Sequence, residues 1–296
     1  MAREMVTCTR CGKTVSKYAG MIRVEKNNRG GRPSYLCEDC NTLMLSYFFE
    51  HDELRGADTV HPFTYGMELE TWHSNAKARS ELAEYHFMPT SDSTVDVEYK
   101  SPIMNNLKSL AHLGKVLDRM LADGDIVIDD HCGTHFHVGH EELNAETMDY
   151  IRRFYNSLFV PLCEAMQAHP EETEELFGRN FGYWSDTINM NSPATRHQNF
   201  INTEHSNTLE FRIAFFKSGA QYMRVAKLAT KITDCIMTNF VEHFDDEVDV
   251  KKLKRNWKLN FQEEINVNER NVQKMYRLFK AKMTGRKCAE LFLKAI

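Results

Sequence analysis

Residues 131–140 read HCGTHFHVGH, placing four of the chain's 13 histidines within ten positions. The stretch follows DIVID (125–129), an apolar run rich in β-branched residues, so the whole segment is expected to form a strand. Residues two apart in a strand face the same way. His135 and His137 then stand side by side, with Phe136 and Val138 turned to the other face. Such a pair suits a metal or phosphate site, and it equally suits two packed imidazoles. The neighbouring strands decide between these.

Three further segments show the same two-sided pattern. FTYGMELETW (63–72) puts Glu68 and Glu70 on one face, with Met67, Leu69 and Thr71 on the other. TVDVEYKSP (94–102) groups Asp96, Glu98 and Lys100, against Val97 and Tyr99. NTLEFRIAFF (207–216) groups Glu210 and Arg212, against Leu209, Phe211 and Ile213. One charged strand face is ordinary solvent exposure. Four strands whose polar faces are mostly Glu, His and Arg are harder to explain that way. If they share a sheet, at least four carboxylates crowd together, and their repulsion calls for cations among them. Oxygen ligands suit Mg²⁺ or Mn²⁺, and metals beside an arginine suit phosphoryl transfer. The glycine-rich phosphate loops G-x-x-x-x-G-K-[ST] and G-x-G-x-x-G are both missing, so bound ATP would be held by metals and basic side chains.

The 296 residues suffice for one large domain or two small ones, and 42% hydrophobic with 27% charged residues is ordinary for a globular chain. A net charge of −5 argues against a general nucleic-acid binder. No 18-residue apolar run and no signal-type segment stand out, so no membrane association and a cytoplasmic location, in a bacterium or a phage-infected host, are expected. Three parts are expected: a module over 1–50, a connector over 51–62, and a catalytic domain over 63–296 that ends in helices. Spacing predicts helices over 104–122, 141–168, 219–243 and 263–293, the second starting near Asn144. Residues 178–207 show no period, and their aromatics Tyr183, Trp184 and Phe200 suggest an ordered covering over the site. His131 and His140 read as strand-end or surface residues, and His86, His112, His197 and His205 fit no pattern.

Four of the eight cysteines form two C-x-x-C pairs, Cys8/Cys11 and Cys37/Cys40. Two such knuckles complete a tetrahedral structural Zn²⁺ site, which a module this small needs as a staple. A treble-clef or zinc-ribbon-like module is expected. Arg23, Lys26, Arg29 and Arg32 offer phosphate contacts, but a solvated turn is the favoured reading over nucleic-acid binding.

In order, YGMELE, DSTVDVEYKSP, GTHFHVG and NTLEFRI resemble the amidoligases of the glutamine synthetase-like fold, relatives of glutamate–cysteine ligase, over roughly Phe63–Phe216. The resemblance implies an α+β fold with a curved antiparallel sheet and helices. It also implies an ATP-dependent carboxylate–amine ligase acting through an acyl phosphate. By position, Glu68, Glu70, Glu98, His135 and Glu210 resemble metal ligands, with His135 also near nucleotide phosphate. Arg212 resembles the arginine on the transferring phosphate, and His137 and Asn202 resemble substrate-pocket residues. Asp92 resembles an acidic group near the amine; Asp92 or Asp96 would accept the amine's proton. Arg196 lies in the unpatterned loop and is a phosphate-closing candidate. The partners implied are carboxylate and amine substrates, either small molecules or groups on peptides and proteins. Two other readings fit the same residues: a metal-dependent hydrolase, and a zinc-knuckle binding module attached to an inactive ligase fold.

Overall fold

A computed structural model describes residues 5–8, 12–16, 21–25, 34–37, 62–90, 95–104, 106–129, 131–179, 199–205, 207–212, 214–248 and 269–296. The N-terminal part contains two antiparallel hairpins. Strand β1 (Met5–Thr7) pairs with β2 (Thr14–Ser16), and β3 (Met21–Glu25) pairs with β4 (Ser34–Cys37). Cys8 and Cys37 are 1% and 2% exposed. The Gly12 N–H donates to the Cys8 carbonyl at 3.0 Å and the Cys8 N–H to the Lys13 carbonyl at 2.8 Å. Gly12 takes φ +75°, a conformation open to glycine at little cost. Cys11 and Cys40 lie outside the described residues.

The rest is mixed helix and sheet. Six antiparallel strands lie in the order β11-β12-β10-β5-β8-β7. They are β5 (Phe63–Thr71), β7 (Met88–Thr90), β8 (Val97–Lys100), β10 (Thr134–His140), β11 (Ile201–Asn202) and β12 (Thr208–Phe211). One face is apolar: Tyr65, Met67, Leu69, Tyr99, Phe136, Val138, Leu209 and Phe211 are all buried in one core cluster. Two helices back this face, α2 (Leu107–Ala122) and α6 (Gly219–Ile236). Tyr222 of α6 meets Phe136 edge to face at 5.7 Å and its hydroxyl donates to the His135 carbonyl at 3.1 Å. Helix α2 buries Leu110, Leu113, Leu117 and Met120, the three-to-four spacing of an amphipathic helix. The side chain of Asn106 caps its start by accepting the Ser109 N–H. Helices α4 (Tyr155–Ala168) and α7 (Glu269–Leu293) pack against each other on the far side.

Several boundaries differ from the sequence reading. DIVID does not run into the histidine strand. Ile126–Val127 forms β9, which pairs instead with β6 (His73–Ser74). The Asp129 side chain accepts the His131 N–H at 3.0 Å and its carbonyl accepts the Cys132 N–H at 3.0 Å, so the chain turns there. The helix expected over 141–168 is two helices, α3 (Ala145–Arg153) and α4, broken at Phe154, whose ring packs against Phe240 and Phe244. Its predicted start holds: Asn144 caps α3 in a reciprocal pair with Thr147. Helices α1 (Ala76–Glu84) and α5 (Pro170–Phe177) carry weaker apolar spacing and were not anticipated. The helix expected over 219–243 ends as α6 at Ile236 and continues as a π-helical turn, Met237–Val241. In the stretch read as a loop, Ile201 and Asn202 belong to the sheet, and residues 180–198, including Arg196, lie outside the described residues.

Helices α2 and α6 cross at Gly114 and Gly219. A Cβ built on Gly114 would lie 2.9 Å from the Gly219 Cα. Alanine in mid-helix normally gains about 1 kcal/mol over glycine, but overpacking two backbones costs about 1–3 kcal/mol. Gly114→Ala is therefore expected to lose up to about 2 kcal/mol net in a denaturant titration. A gain in stability would show that the helices separate easily.

Candidate active site

The sheet's other face gathers the charged groups, because cross-strand register brings the polar rows into line. His135 lies opposite Glu68, and Glu68 opposite Lys100. His137 lies opposite Glu210, Glu210 opposite Asn202, and Glu70 opposite Glu98. Thr90 at the edge lies opposite Glu98. Residues from position 68 to 212 thus meet on neighbouring strands.

Glu68 sits at the centre. Lys100 Nζ donates to its Oε1 at 2.8 Å, and His135 Nδ1 approaches its Oε2 at 3.0 Å. His137 Nε2 lies 3.4 Å from Oε1. Burial opposes the charge on Glu68, yet His137, His135 and Lys100 outweigh it and hold the carboxyl well below its usual range. Glu210 is 1% exposed. Its Oε1 takes Arg212 Nη1 at 2.5 Å and His135 Nδ1 at 3.2 Å. Its Oε2 takes Asn202 Nδ2 at 2.6 Å and His205 Nε2 at 3.0 Å. Here too burial is outweighed, chiefly by His135 and His205, and Glu210 is held well below the carboxylate range.

Glu70 is anchored by the Gly133 N–H at 2.5 Å, and His135 Nε2 lies 3.9 Å from its Oε1. Glu98 behaves differently. Burial, then the charge of Glu68, push its carboxyl up to about 7 against Lys100 and His135. His135 is buried; burial and Arg212 oppose its charge, but Glu210 and Glu68 carry it up to about 9. His137 Nε2 is buried without a hydrogen bond of proper geometry.

Of the residues singled out from sequence, the structure brings together Glu68, Glu70, Glu98, His135, His137, Asn202, Glu210 and Arg212. Asp96 does not join them: it pairs with Arg79 at 3.2 Å. Asp92 lies outside the described residues. Two members were not singled out. Lys100 shares the row of Glu98, and its position was visible in the period of that strand. His205 sits in the turn between β11 and β12, where no period operates; only its closeness in sequence to Asn202 and Glu210 hinted at it.

The site carries its own internal cations, Lys100, Arg212 and His135, so its carboxylates are not bare. Among the described residues two groups still have the donors for a metal ion: Glu68, His135 and Glu210, and His137, His205 and Glu210, each with ligand atoms within 4.8 Å of one another. The carboxylate and imidazole donors, with a buried His137 nitrogen that makes no well-formed hydrogen bond among them, fit a divalent cation.

In this linked cluster pH has a definite sign when no metal is bound. Glu98 and His135 both have folded values above their ordinary 4.5 and 6.5. Stability from such groups is complete below the ordinary value and lost as pH rises through the folded one. The loss falls between about pH 4.5 and 7 for Glu98 and between about 6.5 and 9 for His135. Glu68 and Glu210 work the other way, losing stability as pH falls below the ordinary carboxylate value. Chelated protein is therefore expected to gain most from this cluster near pH 5 and to lose on the order of 5 kcal/mol by pH 9. Denaturant midpoints across pH 4–9.5 would test this; a flat profile above pH 5 contradicts it.

The fold and site together define an antiparallel sheet with an apolar back and a carboxylate–histidine–arginine face. Residues 63–183 match the family model described as "Putative amidoligase enzyme". The match begins at the first residue of β5 and takes in Glu68, Glu70, Glu98, His135 and His137. It supports a ligase-type function. No curated protein matches the chain closely enough to count as a relative. Among the described residues no helix is long and apolar enough to cross a membrane.

Proposed function

We propose that this chain is an ATP-dependent carboxylate–amine ligase with a glutamine synthetase-like sheet, working through an acyl phosphate with Mg²⁺ or Mn²⁺. The observation that carries the reading is the convergence of Glu68, Glu98, His135, Glu210 and Arg212 on one sheet face. Glu68, Glu70, Glu98, His135 and Glu210 would hold the divalent ion, which when bound neutralises phosphate oxygens. Glu98 and His135 are the groups that give up protons when a cation enters, since both stay protonated higher in pH than usual. Arg212 is the fixed cation for charge building on the transferring phosphate, held in place by Glu210. Asn202, tied to Glu210, is a polar contact for substrate. The chemistry is balanced: the substrate carboxylate takes the γ-phosphoryl group and ADP leaves; the amine then attacks the acyl carbon, loses a proton, and phosphate leaves.

The test is ADP formation by the full chain with Mg²⁺ or Mn²⁺, ATP, and panels of carboxylates and amines including amino acids and peptides. ADP that requires both an acid and an amine supports the ligase. Absence of thermal stabilisation by any metal–nucleotide in folded protein counts decisively against it. Hydrolysis of a substrate without nucleotide would make it a hydrolase.

We also propose a structural Zn²⁺ held by Cys8, Cys11, Cys37 and Cys40. Burial of Cys8 and Cys37 and the Gly12 N–H bond to the Cys8 carbonyl support it. Metal analysis is expected to return one zinc per chain, lost in Cys8→Ser.

A further inference from the structure

The two oxygens of Glu210 face different partners. Oε1 turns toward His135 and Arg212; Oε2 turns toward His205 and Asn202. Beyond Oε2 the imidazoles of His137 and His205 meet edge to face with centroids 5.1 Å apart. With metal–ligand bonds of about 2.1 Å, ligands at tetrahedral or octahedral angles lie roughly 3.0–3.4 Å apart. The His205 Nε2 to Glu210 Oε2 distance of 3.0 Å falls in that range.

The surroundings orient these groups. His137 Nδ1 faces the Thr208 hydroxyl at 3.4 Å, leaving Nε2, which is buried 3.4 Å from Glu68 Oε1 without a well-formed hydrogen bond, as its ligand atom. The turn bearing His205 is fixed from α3. Arg152 donates to the carbonyls of Thr203 at 2.7 Å, Glu204 at 3.3 Å and His205 at 3.2 Å. Asn202 holds the same turn through the Glu204 N–H at 2.9 Å. His205 is 42% exposed on its side chain, so an ion has a way in from solvent.

We propose that His137, His205 and the outer oxygen of Glu210 form a second cation site, bridged through Glu210 to the one at Glu68 and His135. Two imidazoles to one carboxylate select a first-row transition ion over Mg²⁺, and Mn²⁺ serves as the paramagnetic probe of that class. His137 is thereby a ligand in place of the substrate contact that its position suggested. Arg152 is a positioning residue: it touches no ion and acts through the turn that carries His205.

The test is a Mn²⁺ titration of the full chain, freed of exchangeable divalent ions by dialysis, without nucleotide. Electron paramagnetic resonance follows free Mn²⁺. Wild type is expected to take up two Mn²⁺ per chain at these residues. His205→Gln is expected to take up one, with affinity for that ion within about threefold of wild type. Arg152→Ala is expected to keep both and to weaken one about tenfold or more, the size of effect seen when the support of a metal ligand is lost. One ion or none in wild type, or two unweakened ions in His205→Gln, overturns the proposal. Should His205→Gln not fold, the wild-type count and the Arg152→Ala shift decide it. Because no nucleotide is present, failure of the ligase reading leaves the count unchanged.

Discussion

Glu210→Ala is expected to lower the unfolding midpoint by about 10 °C in metal-free protein. The carboxylate is 1% exposed and accepts from Arg212, Asn202 and His205 while also facing His135. Removing one partner of a buried ionic group costs about 3–5 kcal/mol, because the remaining charge is left without compensation. Here two cations, Arg212 and His135, would be so left. Glu210→Gln keeps the shape and the Asn202 contact, so a smaller loss is expected from it. Calorimetry and denaturant titration in chelating buffer measure both. A loss under about 1 kcal/mol for the alanine variant would mean that Arg212 and His135 find other anions, and that Glu210 does not organise this face.

Arg212→Ala is expected to cut ATP-dependent turnover by about 10³-fold, the scale on which a fixed arginine acts in phosphoryl transfer. Arg212→Lys should recover only part of this, since a point charge lacks the planar fork. The readout is ADP formation under the substrate conditions that support wild type, with metal saturating so that metal loss is not mistaken for lost chemistry. A fall of less than tenfold for the alanine variant would remove Arg212 from the reacting phosphate and leave it as a partner of Glu210 only.

The candidate site was legible in the sequence wherever a strand carried it. A period of two is a strict rule, so Glu68 with Glu70, His135 with His137, and Glu210 with Arg212 were placed on common faces before any coordinates. What the period cannot give is which strand lies beside which. That Glu68 touches His135, or that Glu210 touches both His135 and His205, depends on register across the sheet. His205 is not marked by sequence because turns obey no period, and its place comes from Arg152, a residue of helix α3. Sequence alone runs the histidine strand too far back because Ile126–Val127 has the composition of a strand and is one, though in another ribbon. Helix α3 was found at its start because Asn144 is a good cap, but its break at Phe154 reflects aromatic packing against residues 86 and 90 positions away, Phe240 and Phe244.

The way the site is woven into the sheet also limits how the gene can change. Every described functional group except His205 and Arg212 rides on a paired strand, alternating with a core residue. Deleting a single codon within Phe63–Thr71 would swing Met67 and Leu69 among the charges and drive Glu68 and Glu70 into the apolar layer. Drift among relatives should therefore appear as altered turn lengths and exchanged side chains, while the spacing from Glu68 to Glu70 and from His135 to His137 stays fixed.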